Sequence, residues 1–314
     1  MDVWLNGEIV PETEAQISVF DSGIQHAVGL FETMTAQHAR VFRVQEHTQL
    51  LVDSARSLLM SNRLQAVPLA EACEQLLAHN AMSEARVRLT VTGGNMNMLN
   101  NSGDGHVDPT ILIVAQPPTD YPAMFFSQGV EVSIAAGREN PWTPMAGHKT
   151  LNYWPRIHAL QMAGMVGTSE ALWLDPAANL TCGCVSNIFI VRDGKLITPP
   201  ARGEEPEGSG PSPVRPGITR AVTMECAEAA GIECETASIS VDELLASQEV
   251  FLTNSSWQLL PVKGLRLQVR GEDGEPAMQS HPIGDGAVGP VAGQLRRDLL
   301  DLIDEETRDL PADR

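Results

Sequence analysis

An α+β fold is predicted for this 314-residue chain, on three observations. Alternating apolar segments gather in blocks, helical segments gather between and after those blocks, and no internal repeat sets a strand–helix–strand rhythm. The chain is also long enough to bury a substantial core in one large or two modest domains. Its hydrophobic content of 43% is that of an ordinary globular protein.

The elements follow in order. VWLNGEIV alternates around Asn6-Gly7, the dipeptide of a tight hairpin. AQISVFDSG is expected as a further strand, and HAVGLFETMTAQHARVFRV as a hairpin of two more. From Gln45 to Asn62 the period becomes helical, with Leu50, Leu51, Ala55, Leu58 and Leu59 along one face. A second helix spans Pro68 to His79, and ARVRLTVTGG and DPTILIVAQPP are strands joined by the polar loop NMNMLNNSGDGH. The prolines of AQPPTDYP close this unit, giving a small domain over residues 1–118 and a linker over 119–128. The larger domain, 129–314, opens with the strand GVEVSIAAG and continues into a helix from NYWPRIHALQMAG. EALWLDPAANLTCGCVSNIFIVRDGKLITPP gives three strands with turns at Asp175-Pro176 and Asp193-Gly194. ARGEEPEGSGPSPVRP (201–216) is expected to be flexible, from its Gly, Pro and Glu. A helix from about Thr219 to Ala230 ends at Gly231. EVFLTNSSWQLLPVKGL is two strands around a polar turn, and Gly289 to Asp309 is an amphipathic helix.

Charge narrows the partners. With 21 basic and 40 acidic residues the net charge is −19, a surface that repels nucleic acid and anionic lipid. No apolar run reaches the roughly 18 residues of a membrane span, and the N-terminus has no signal-peptide pattern. Five irregularly spaced cysteines point to free thiols in a reducing compartment, the cytoplasm. The only lysines are Lys149, Lys195 and Lys263. The last two sit in turn-like contexts, whereas Lys149 lies among small, apolar and aromatic neighbours in AGHKTLNYW, which makes it the candidate for chemistry.

Eight stretches carry a resemblance: LNGEIVP, SVFDSGIQHAVGLFET, EHTQLLVDSARSL, HKTLNYW, EALWLDPAANLT, SNIFIVRDGKLITPP, PGITRAV and VFLTNSSWQLLPV. In this order they resemble the class IV (fold type IV) pyridoxal-phosphate enzymes: branched-chain and D-amino-acid transaminases and aminodeoxychorismate lyase. The resemblance implies a small N-terminal α/β sandwich, a larger C-terminal pseudo-barrel domain, pyridoxal 5'-phosphate as cofactor, and a homodimer acting on a small amino acid and a keto acid. It implies that Lys149 forms a Schiff base with the cofactor and shuttles a proton, which an apolar pocket and a nearby cation would assist by lowering its pKa. Gly217, Ile218 and Thr219 open a helix whose unpaired N–H groups and dipole form a phosphate cup. Asn254, Ser255 and Ser256 form a turn that could complete that site or hold a substrate carboxylate, and Ser186 and Asn187 are implied as further cofactor contacts. Tyr153 would bond the cofactor's phenolate. Phe31, Thr35 and Ser256 are the implied substrate contacts. No metal site is expected, because no second cysteine pair or Cys-x-x-His cluster accompanies Cys182 and Cys184.

Three departures qualify the resemblance. Cys182 stands where the family carries a glutamate that keeps a proton on the cofactor's pyridine nitrogen; a thiol is a weak hydrogen-bond former and cannot do so. Leu50 stands where an arginine grips the phosphate, removing a charge-assisted bond of roughly 1.5–3 kcal/mol; Arg43 or His47 could compensate. Thr35 replaces a usual basic residue, and no arginine lies between Arg88 and Arg138, so a dicarboxylic or D-amino-acid substrate is not indicated. Cys182 and Cys184, two apart on a strand, also leave a vicinal redox pair open. Two readings follow: a transaminase or lyase with atypical cofactor anchoring, or a degenerate homologue without transaminase activity that uses its pocket without the cofactor.

Overall fold

The computed structural model describes residues 1–95, 108–270 and 276–308. The expected loop lies outside them from Met96 to His106, as does Asp309, the expected end of the last helix. The chain divides into two compact units, the first made of Met1–Thr119, His148–Tyr153 and residues from Leu302, the second of Asp120–Gly147 and Trp154–Asp301. The expected α+β class holds: helices cover sheets, and strands are paired largely with sequence neighbours.

The first unit carries β1 (Asp2–Leu5), β2 (Glu8–Pro11), α1 (Ser22–His26), β3 (Gly29–Gln37), β4 (Arg40–Val41), α2 (Val44–Ser57), α3 (Ala66–His79), β5 (Ala85–Thr92) and β6 (Ile111–Gln116). Its sheet is antiparallel, in the order β2-β1-β6-β5-β3-β4. Strand alternation divides its residues between two faces. Leu30, Met34, Val87, Leu89 and Ile113 join Leu51, Ala55, Leu76 and Leu77 of the two long helices in a buried core. Phe31, Thr33 and Thr35 point to the opposite face, beside Thr90, Arg88 and Arg86, their register partners on β5. The strand expected at AQISVFDSG does not form. Asp21 caps α1 by accepting from Gly23 N at 2.7 Å, and its other oxygen accepts from Thr92 and Thr110 hydroxyls, each at 2.7 Å. Val19 and Phe20 stay exposed, with no partner strand to bury them.

The second unit carries α4 (Ala123–Gln128), β7 (Val130–Arg138), α5 (Trp154–Met165), β8 (Glu170–Leu174), β9 (Leu180–Gly183), β10 (Asn187–Arg192), β11 (Lys195–Thr198), α6 (Ile218–Ala229), β12 (Cys234–Thr236), α7 (Val241–Leu245), β13 (Glu249–Asn254), β14 (Gln258–Arg270) and β15 (Pro276–Pro282); α8 (Pro290–Thr307) begins here. Its nine-stranded sheet runs β12-β11-β10-β13-β14-β7-β8-β9, with β15 on β14. Parallel pairing joins β7 to β8 and β14. The segment from Glu170 to Pro200 forms four strands rather than three. A turn at 184–186 divides it, because the Glu170 carboxylate accepts from Val185 N at 2.9 Å and from the Ser186 hydroxyl at 3.0 Å. Residues 201–216 are tied down rather than loose. Glu205 accepts from Gly203 N and Ser212 N, each at 2.7 Å, and Glu204 takes both terminal nitrogens of buried Arg220. Composition showed the glutamates but not that their carboxylates bind the loop's own backbone.

Candidate active site

In the first unit the chain around Lys149 runs beside β3. Phe31 N donates to Lys149 O at 3.0 Å, and Leu151 N donates to Gly29 O at 2.9 Å. Gly29 permits this approach: a Cβ there would meet Leu151 Cδ1 at 2.6 Å and Val91 O at 2.7 Å. Half-buried Lys149 thereby brings Nζ to 4.8 Å from the Phe31 ring centre and 5.6 Å from that of Tyr153. Those rings meet edge to face at 5.2 Å. Arg88 lies over Phe31 at 3.8 Å, a residue the sequence reading used only to mark where arginines stop. Buried Val87, Leu89 and Val91 could have revealed it, since alternation sends Arg86 and Arg88 to the face of Phe31 and Thr35. Leu50 is half-buried on α2. Of its two candidate substitutes, Arg43 is engaged by Glu306 at 2.6 and 2.7 Å, and His47 pairs with buried Glu32 at 3.0 Å.

In the second unit three turns converge. The first turn of α6 has Gly217 as its N-cap and no side-chain cap, so no capping side chain takes up its first amides. A Cβ on Gly217 would meet Asn187 Oδ1 at 2.2 Å; Asn187 in turn donates to Arg215 O at 2.9 Å. The Thr219 and Ser255 hydroxyls stand 3.5 Å apart. Asn254 shapes its turn by accepting from Ser256 N at 2.8 Å and Trp257 N at 3.0 Å, and donates to Val185 O at 3.2 Å. Thr253, opposite Asn187 in the ladder, has a buried hydroxyl oxygen without a hydrogen-bond partner. Short contacts thus tie the turns of Asn187, Gly217 and Thr219, and Asn254 and Ser255 together, while Ser186, next to Asn187, gives its hydroxyl to Glu170. Amides without a side-chain cap and paired hydroxyls fit a phosphate group.

Cys182 lies on β9, whereas Cys184, expected on the same strand, falls in the turn just past its end; both pack with Ala171 and Trp173 of β8. They do not face one environment. Cys184 Sγ accepts from Trp173 Nε1 at 3.4 Å, whereas Cys182 Sγ accepts from Arg156 Nη1 at 3.3 Å. None of the five cysteines forms a disulfide. Burial pushes Cys184 up to about 12 and raises Cys182 despite the Arg156 charge. Glu170, wholly buried, is raised to about 7 by desolvation against its hydrogen bonds to Val185, Ser186 and others. Arg156 and Glu170 were not singled out from sequence, because each meets its partner across a distance in the chain that no local pattern encodes. Among the described residues no three metal-ligating side chains converge.

The profile of the amino-transferase class IV family matches residues 29–265, and the chain belongs to that family. It is similar to solved structures along almost its whole length. A branched-chain amino acid aminotransferase from Escherichia coli superposes with a TM-score of 0.83 at 27% identity, covering 98% of this chain and 96% of that one. A T.th. branched-chain amino acid aminotransferase with pyridoxamine 5'-phosphate gives 0.82 at 25% identity, over 98% and 95%. The 4-amino-4-deoxychorismate lyase from Pseudomonas aeruginosa gives 0.75 at 26% identity, over 97% and 98%. The expected family and fold type IV scaffold are therefore established. The chain sits in an enzyme family, and no helix among the described residues is long and apolar enough to cross a membrane.

Proposed function

We propose that this chain is a pyridoxal-phosphate-dependent aminotransferase of a small amino acid and a keto acid, with Lys149 as its catalytic residue. The carrying observation is the coexistence of an amine set against two aromatic rings with an uncapped helix start flanked by hydroxyls. The cofactor supplies an aldehyde that bonds amines and a ring that draws electrons from them. The chain's residues do the rest. Lys149 supplies the amine and carries the proton, and Tyr153 and Phe31 wall it from one side. The amides of Ile218 and Thr219, with the Thr219 and Ser255 hydroxyls, hold phosphate. Arg215, two residues ahead of Gly217, is a cation close in sequence to that cup. Arg88 is a cation for the substrate carboxylate on the face of Phe31 and Thr35, while Ser256 offers a further donor. The reading brings with it a homodimer and, from five cysteines without a disulfide, a reducing compartment such as the cytoplasm.

The test is a screen of small amino acids with pyruvate and 2-oxoglutarate, run on holoprotein and on Lys149→Ala. The proposal expects a new amino acid from at least one pair and none from the variant. Pyruvate released from an aminodeoxychorismate-type substrate, with no amine transfer, would favour a lyase. Neither reaction, with no cofactor taken up, would favour the degenerate homologue.

A further inference from the structure

A charged cluster in the second unit has no part in the reading above. Arg156, in the first turn of α5, donates from Nη2 to Glu139 Oε1 at 2.6 Å, with both side chains mostly buried. Its Nη1 reaches Gly183 O at 2.9 Å, Cys182 Sγ at 3.3 Å and Cys184 O at 3.4 Å. Cys182 is 5% exposed. Thr181 Oγ1 lies 3.6 Å from the same sulfur and gives its own hydrogen to Trp173 O at 3.0 Å. The charge balance is simple: one carboxylate, one guanidinium and one neutral thiol sum to zero. The cation lies between the carboxylate and the sulfur.

We infer that Cys182, backed by the Glu139–Arg156 pair, holds the cofactor's pyridine nitrogen in its unprotonated form. This rests on the functional reading, with the family resemblance that would set the ring nitrogen against the side chain at position 182. A buried ring nitrogen keeps a proton when an anion lies against it; an opposite charge within about 4–6 Å moves a pKa by one to three units, and a like charge moves it the other way. Here the anion is absent from position 182, and a guanidinium stands behind the sulfur. Glu139 is already neutralised by that guanidinium. Glu170 is a neighbouring acid, but it projects to the other face of β8, toward Val185 and Ser186. Arg138 gives its guanidinium to the carbonyls of Ala135 and Gly137. No group facing the sulfur from these elements contributes an uncompensated negative charge. The ring is therefore a weaker electron sink in this chain.

The experiment loads the full chain with cofactor labelled with nitrogen-15 in the ring and records its chemical shift at neutral pH, with uptake measured in parallel. Wild type is expected at the position of free pyridine, and Cys182→Ser stays there. Cys182→Glu is expected to move the resonance to the pyridinium position. Arg156→Leu, which leaves Glu139 unpaired, moves it the same way and serves should the buried glutamate prevent folding. A pyridinium resonance in wild type overturns the inference and leaves the functional reading standing. A chain that takes up no cofactor overturns both.

Discussion

Glu170 gives the protein a stability that falls as the pH rises, in a window set by one buried carboxyl. Its folded value of about 7 lies above the ordinary 4.5, so between those values the folded chain keeps a proton that the unfolded chain has lost. Stability from this group is therefore fully present below about pH 4.5 and is lost as the pH rises through about 7. A separation of about 2.5 pH units corresponds to about 3 kcal/mol. The strongly lowered acid Glu243, at about 2, titrates well below this window. Glu170→Gln keeps an acceptor for Val185 N and the Ser186 hydroxyl and cannot ionise. Urea unfolding across pH 5 to 8 should show wild type weakening while the variant stays level. The two should agree near pH 5, and the variant should lead near pH 8 by up to about 3 kcal/mol. A wild-type profile that is flat across this range, or a variant that weakens in parallel with it, refutes the assignment.

Gly217→Ala drives a methyl against Asn187 Oδ1 and strains that residue's bond to Arg215 O. The chain should lose about 1–3 kcal/mol of stability and bind cofactor more weakly, as read by thermal unfolding with and without it. Arg88→Gln should raise the keto-acid KM about tenfold or more with a smaller change in kcat, as expected from losing a charge-assisted bond of about 1.5–3 kcal/mol. Steady-state kinetics separates the two constants. Leu50→Arg should tighten cofactor binding by about ten- to a hundredfold, measured by quenching of tryptophan fluorescence.

How far the sequence carried depends on the range of the interaction. Leu30, Met34, Val87, Leu89 and the apolar faces of α2 and α3 follow a period, so sheet and helices were legible. The phosphate cup was legible as a string because PGIT places Pro, Gly and a helix start side by side. AQISVFDSG misled because Ile17 and Val19 alternate like a strand while the side chain of Asp21, a helix cap, bonds Thr92 and Thr110 from far along the chain. Arg156 reaches Cys182 across 26 residues and Glu139 across 17; no periodicity marks such a pair. Cys182 itself was visible as a departure, but its environment was not. The turn at 184–186 was hidden for the same reason, since Glu170 draws it from another strand.

The functional reading centres on the amine at position 149. Holoprotein reduced with borohydride, digested and analysed by mass spectrometry reports where the cofactor is covalently held. The account predicts a single modified peptide, containing HKTLNYW with the phosphopyridoxyl mass on Lys149. Modification at Lys195 or Lys263 instead, or cofactor released entirely unlinked, would contradict it.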